Sequence, residues 1–242
     1  MNTSSPNTSP HVLQWLPAQG VPAQLFVLLH GVGSSAANMA PLAQWLQAQF
    51  PQAAILAPDG FDAFDYDPSG QARQWFSLKE VTEDNRPARI AAVLPRLMAW
   101  LTEAQQHFGI DPQATALVGF SQGAILSMAL VHEHDGAAGR VLAFAGRYAK
   151  LPDTAPQLTT FHLFHGSADA TIPVQHARAA IERLAALGGD ATIDIVQDAG
   201  HEINGALLNS ALFRLRSHIP QRTWRAALGA AQAQNATDPD LH

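Results

Sequence analysis

Six short apolar runs take turns with five helix-patterned stretches along this chain, and that alternation leaves few folds open. The runs are Leu25–Leu29, Ala53–Ala57, Thr115–Phe120, Val141–Ala145, Phe161–Phe164 and Ala191–Val196. The stretches are Met39–Phe50, Pro87–Phe108, Gln122–His132, Val174–Leu187 and Ala206–His218. Strands joined through helices run parallel, and a parallel sheet needs a layer of helices on each face to bury both sides. The expected fold class is therefore α/β, with a mainly parallel central sheet. Local punctuation agrees: Asp84 and Asn85 stand before Pro87 as caps. Gly109 and Gly188-Gly189 follow helices, as C-terminal glycines do.

No internal repeat or break in composition marks a second domain. The reading divides the 242 residues into a Ser/Thr/Asn/Pro-rich disordered tail (1–10), one α/β domain (11–220), and a peripheral helix fading into a disordered tail (221–242). Apolar residues make up 47% and charged residues 14%, which excludes a disordered chain. A net charge of -6 without a basic block argues against nucleic acid or an anionic membrane as partner. The absence of cysteine removes disulfides, thiolate metal sites and a cysteine nucleophile. The N-terminus has neither a cationic start nor an apolar core, and no apolar run approaches the ~20 residues of a membrane span. A soluble cytoplasmic protein is expected; a homodimer stays open.

One segment breaks the alternation. Residues 60–86 hold Phe61, Phe64, Tyr66, Trp75 and Phe76 among Asp, Pro and Gly, with no clean period. A loop of that length is functional or disordered, and five aromatics argue against disorder. Two readings remain: a surface loop pinned to the core by its rings, or the wall of a substrate pocket.

Chemistry enters at Gly119-Phe120-Ser121-Gln122-Gly123, a G-x-S-x-G pentapeptide between the run ending at Phe120 and the helix beginning at Gln122. A serine on so sharp a strand-to-helix turn needs glycines beside it. The turn lifts its hydroxyl above the sheet and leaves the next N–H at a helix N-terminus. A nucleophilic serine requires a histidine to take its proton and a carboxylate to orient that histidine. In a parallel sheet these groups lie just past the C-terminal ends of later strands. Asp169, in His165-Gly166-Ser167-Ala168-Asp169, and His201, in Asp198-Ala199-Gly200-His201-Glu202, occupy those places. Asp198, Asp194 and Asp153 are rival acids. Asp194 lies mid-strand, and Asp198 is close in sequence to His201. Of the other histidines, His30, His162 and His165 lie in or at the ends of strands. His132 and His134 are two apart, so on a helix they diverge and make a poor metal site. No metal or cofactor is expected.

An oxyanion hole takes one donor from the residue after the nucleophile, here the Gln122 N–H, and one from the loop after an early strand, here Val32 N–H in His30-Gly31-Val32-Gly33. The same loop, Gly31-Val32-Gly33-Ser34-Ser35-Ala36, also matches the G-x-G-x-x-G/A dinucleotide fingerprint, which alone would indicate an NAD-dependent oxidoreductase. Asp59, the acid after the next strand, lies 28 residues beyond Gly31, where ~20 is expected. That reading also leaves Ser121, Asp169 and His201 unexplained. A fold of this type kept only as a binding module is the remaining alternative, although such proteins lose a member of the constellation.

With these residues assembled, the chain resembles the small carboxylesterases related to acyl-protein thioesterases, α/β-hydrolases without a large cap domain. The matching segments are Leu28-Leu29-His30-Gly31-Val32-Gly33, Arg73-Gln74-Trp75-Phe76, Gly119-Phe120-Ser121-Gln122-Gly123-Ala124, His165-Gly166-Ser167-Ala168-Asp169 with Ile172-Pro173, and Gly200-His201-Glu202-Ile203. Thr82-Glu83-Asp84-Asn85-Arg86 and Gly146-Arg147-Tyr148 are similar to a bacterial branch of the group. The resemblance implies Ser121 as nucleophile, Asp169 as acid and His201 as base. It implies Val32 and Gln122 as oxyanion donors, and hydrolysis of carboxylic esters and some thioesters without metal or cofactor. Trp75 and Phe76 are candidates for lining the substrate pocket, partly on the same ground.

Overall fold

The computed structural model describes residues 10–237. The expected tails, apart from Pro10 and the helix at 221–237, lie outside the described residues. In chain order the strands are β1 (Val12–Trp15), β2 (Gln24–Leu29), β3 (Ala53–Pro58), β4 (Asp62–Ala63), β5 (Arg73–Gln74), β6 (Thr115–Phe120), β7 (Arg140–Phe144), β8 (Thr160–Gly166) and β9 (Ala191–Val196). The helices are α1 (Ala40–Gln49), α2 (Arg86–Phe108), α3 (Gln122–Glu133), α4 (Gln175–Ala186), α5 (Gly205–Ser217) and α6 (Gln221–Thr237). Seven strands form one sheet in the order β1-β3-β2-β6-β7-β8-β9, parallel except for β1.

The six apolar runs are all strands, and the period of two along each one sorts its side chains between two cores. Leu25, Val27 and Leu29 of β2 pack with Leu97, Leu101, Leu126 and Leu184 from α2, α3 and α4. Phe26 and Leu28 face the other way, onto Leu42 and Leu46 of α1 and, across the sheet, Leu207 of α5. Leu25, Leu28 and Leu29 have no exposed surface. Burying a side chain of that size contributes about 1.5–3 kcal/mol, so the two layers are the main source of stability.

Two features depart from the sequence reading. The antiparallel edge strand β1 pairs Val12–Trp15 with Pro58–Ile55 of β3 and was not expected. Four residues on a sheet edge, three half-buried and Gln14 exposed, carry too short a pattern to stand out. Asn85 does precede α2, but its side chain caps nothing: its carbonyl accepts from Thr82 N and its amide donates to Glu80 O. It closes the preceding turn instead. The long 60–86 segment forms the small β4–β5 hairpin and an isolated bridge from Arg73 to Ser34.

Candidate active site

Ser121 sits where β6 stops and α3 starts, with φ 52° and ψ -113°. This left-handed backbone costs a residue with a side chain on the order of 1–3 kcal/mol. Two hydrogen bonds hold it: Ser121 N donates to Phe144 O, and Ile125 N donates to Ser121 O. The flanking glycines are required by contact. A Cβ on Gly119 would collide with the backbone of Gly123 and Ala124, and one on Gly123 would collide with Leu29 O.

Asp169 and His201 arrive from the loops after β8 and β9, as the strand order requires. His201 Nε2 lies 3.0 Å from Ser121 Oγ, and His201 Nδ1 lies 2.7 Å from Asp169 Oδ2. The Asp169 side chain is completely buried. Burial alone would raise its pKa, but hydrogen bonds from His201 and from the Ile172 and Thr171 amides outweigh it, and the carboxyl stays below its ordinary value. It is therefore a carboxylate at neutral pH, and a carboxylate only accepts; Nδ1 must carry the proton. Nε2 then presents its lone pair to the serine. Phe120 packs against the imidazole, ring centroids 4.9 Å apart. Asn204 caps α5 through Leu207 N and anchors the far end of the His201 loop.

The rival acids are engaged elsewhere. Asp194 is paired with Arg214, Asp153 lies by Lys150 and Arg183, and Asp198 accepts from Gln197. Among the rival histidines, His165 does come to the site. Its Nε2 donates to Ile172 O at 2.7 Å and lies 3.3 Å from Asp169 Oδ2, so a second imidazole stands beside the buried carboxylate. Its place at the end of a strand in His165-Gly166-Ser167-Ala168-Asp169 was the available signal.

Val32 and Gln122 line one cleft with Ser121. The loop that carries Val32 is fastened on several sides. The His30 ring accepts from Gly60 N through Nε2 and donates to Gly31 O through Nδ1. Burial lowers its pKa, so it stays neutral, as this pair of bonds requires. Gly33 N donates to Arg73 O, and Arg73 N donates to Ser34 O. The dinucleotide alternative meets an obstacle here. Asp59 Oδ1 accepts from Ala36 N at 2.7 Å, which places a carboxylate where a pyrophosphate would dock on the loop.

Trp75 and Phe76 part company. Phe76 lines the cleft beside Ser121, whereas Trp75 is not among its lining residues. Trp75 is fully buried, its indole N–H donates to His30 O, and its ring meets Phe61 edge-on at 5.3 Å. The link between this segment and the elbow is the Gln122 side chain, a role that sequence reasoning missed by attending to its backbone. Gln122 Oε1 accepts from Trp75 N and Nε2 donates to Phe76 O, both at 2.8 Å. Elbow, aromatic segment and glycine loop thus form one hydrogen-bonded frame.

Two clefts flank the serine–histidine pair. One, of about 370 Å3, is lined by Ser121, Gln122, Phe76, Ile125, Arg86 and Arg147 among others. The other, of about 440 Å3, is lined by His201, Phe120, Met39, Leu42, Ile203 and Leu208 among others. Both are of small-molecule size, roughly 300–1,000 Å3. No helix among the described residues is long and apolar enough to cross a membrane.

Comparisons with known proteins show the family and the fold. Residues 16–219 match the phospholipase/carboxylesterase family. The esterase YpfH of Escherichia coli is 43% identical over 211 residues, covering 86% of this chain and 89% of that protein. Acyl-protein thioesterase 1 of Eremothecium gossypii is 27% identical over 222 residues, covering 84% and 91%. The crystal structure of esterase PE8 superposes with a TM-score of 0.79 at 28% identity, covering 88% of this chain and all of that one. A parallel sheet with a serine elbow, helices on both faces and a family match over most of its length place the chain in the phospholipase/carboxylesterase family, as a carboxylesterase-type hydrolase of α/β-hydrolase fold.

Proposed function

We propose that the chain cleaves carboxylic esters, and thioesters, by two-step acyl transfer through Ser121, His201 and Asp169. The observation that carries this is the unbroken line from Ser121 Oγ to His201 at 3.0 Å and from His201 to buried Asp169 at 2.7 Å. Ser121 Oγ bonds to the substrate carbonyl carbon while its proton passes to His201 Nε2. The carbonyl oxygen becomes an oxyanion facing the Val32 and Gln122 amides, and Asp169 stabilises the imidazolium. The carbon–oxygen or carbon–sulfur bond then breaks, and the leaving alcohol or thiol takes the proton from His201. Water repeats the sequence on the acyl-enzyme and restores Ser121. His201 lines the second cleft, so that cleft receives the leaving group, and the cleft beside Ser121 and Gln122 receives the acyl group. Phe76 forms part of the acyl wall, and Trp75 positions it from behind. The name of the thioesterase relative supports the thioester half of the reading.

The test is Ser121→Ala, assayed on p-nitrophenyl acetate and with a fluorophosphonate probe. Turnover falls by about 10⁴-fold or more and labelling disappears, while the melting temperature holds. Substantial residual turnover, or labelling at another residue, would sink the assignment.

A further inference from the structure

The acyl cleft is not apolar throughout. Two guanidinium groups stand in its wall: Arg86, the first residue of α2, and Arg147, three residues past the end of β7. Their side chains are only 16% and 11% exposed. Both are held by one carboxylate. Glu83 accepts from Arg147 Nη2 with both oxygens, at 2.8 and 2.6 Å, and from Arg86 Nη2 at 3.1 Å. Its own side chain is 66% exposed, so this counterion approaches from the solvent side. The remaining groups of the cluster leave positive charge uncompensated. Arg147 Nη1 faces His176 Nε2 at 3.4 Å, and burial with the Arg147 charge lowers the pKa of that histidine. Arg86 Nε is buried without a hydrogen-bond partner among the described residues. Two cations against one anion give a net positive wall in the cleft that also holds the nucleophile.

Guanidinium groups with little water around them favour an anionic partner, and planar carboxylates match their fork geometry. We infer that the acyl group carries a carboxylate that docks on Arg86 and Arg147, making half-esters or half-thioesters of short dicarboxylic acids the preferred substrate class. This rests on the serine hydrolase reading above and adds the chemistry of its acyl site. A cleft of about 370 Å3 shared by Ser121 and both arginines suits a short acyl chain that spans from the reacting carbonyl to the second carboxylate. Glu83 holds the guanidinium groups in place and gives way to that carboxylate, or shares them with it.

The experiment uses the full chain and a pair of isosteric esters: monoethyl glutarate, and ethyl glutaramate, in which a neutral amide replaces the carboxylate. Ethyl butanoate serves as a plain ester, and release is followed by chromatography at about pH 7.5, where a free carboxyl (pKa ~4) is ionised. The anionic ester is favoured by roughly tenfold to a hundredfold in kcat/KM, mainly through KM, as expected for a charge-assisted pair. Added salt shrinks the ratio. Arg147→Gln and Arg86→Gln each bring the ratio toward one, and Glu83→Gln, which removes the competing carboxylate, raises it. Free glutarate inhibits wild type competitively, and less so the arginine variants. A wild-type ratio of one or below, with ethyl butanoate still cleaved, overturns the inference and leaves the esterase reading standing. Arginine variants that lose both esters equally, with the ratio unchanged, reduce the cluster to a clamp on the loop and overturn it too. No turnover of any ester, with no probe labelling of Ser121, brings down the reading beneath it.

Discussion

Gln122→Ala separates the backbone of residue 122, which the proposed mechanism uses, from its side chain, which the frame uses. The side chain is buried and makes two bonds, accepting from Trp75 N and donating to Phe76 O. Truncation leaves an amide N–H and a carbonyl without partners inside the protein. Each unsatisfied buried group costs about 1–3 kcal/mol, so the loss is roughly 2–6 kcal/mol. For a domain of this size 1 kcal/mol corresponds to about 2–4 °C in melting temperature, which places a mid-range loss of ~3 kcal/mol near 6–12 °C. The N–H of residue 122 remains in the variant, so the oxyanion donor survives if its position does. Loosening residues 75–76 frees the Phe76 wall and, through the Trp75 bond to His30 O, the loop bearing Val32. The assay is a thermal melt together with kcat and KM on p-nitrophenyl butyrate. Melting falls by several degrees, KM rises and kcat drops about tenfold, a modest fraction of the ~10²–10³-fold cost of losing an oxyanion donor outright. A melting shift under about 2 °C with wild-type kinetics would refute the frame, because two buried groups would then have lost their partners without cost.

The remaining outcomes can be checked separately. Asp169→Asn keeps the shape but removes the charge that stabilises the imidazolium and fixes its tautomer, so kcat falls by about 10⁴-fold with little change in KM; a loss under tenfold contradicts the role. Trp75→Phe removes the N–H bonded to His30 O and lowers turnover of acetate and octanoate esters alike, whereas Phe76→Ala changes chain-length preference; the reverse pattern would return Trp75 to the pocket wall. His162 accepts from Arg140 and hydrogen-bonds Thr192, and burial together with the Arg140 charge lowers its pKa from 6.5 to about 3. Below pH 6.5 the unfolded chain binds a proton that the folded one refuses, so stability drops as pH falls toward 3, by up to ~5 kcal/mol, and His162→Gln flattens that slope in urea melts.

Much of this site could be read from the chain because parallel α/β topology turns sequence order into position. Catalytic groups gather past the C-terminal ends of strands, so Ser121 after β6, Asp169 after β8 and His201 after β9 could be placed together before any coordinates. Trp75 shows the limit. Its motif and aromatic character fit a pocket wall or a support equally well, and only the tertiary structure gives the direction of its indole N–H, inward to His30 O. His165 and the Gln122 side chain were missed for the same reason, since each acts on a partner distant in sequence or across a turn.

The sequence by itself determined the layers, the approximate edges of six strands and five helices, and the residue types and order of the candidate machinery. Those depend on local period, turn stereochemistry and chain direction, all of which are written within a few residues. Tertiary structure alone decided which side chains face the clefts and how the frame around Ser121 is tied. It also brought Arg86 from the start of α2 and Arg147 from beyond β7 onto one exposed Glu83 beside the nucleophile. Such meetings depend on packing between elements tens of residues apart, where a turn of a few degrees decides whether a guanidinium meets solvent or substrate.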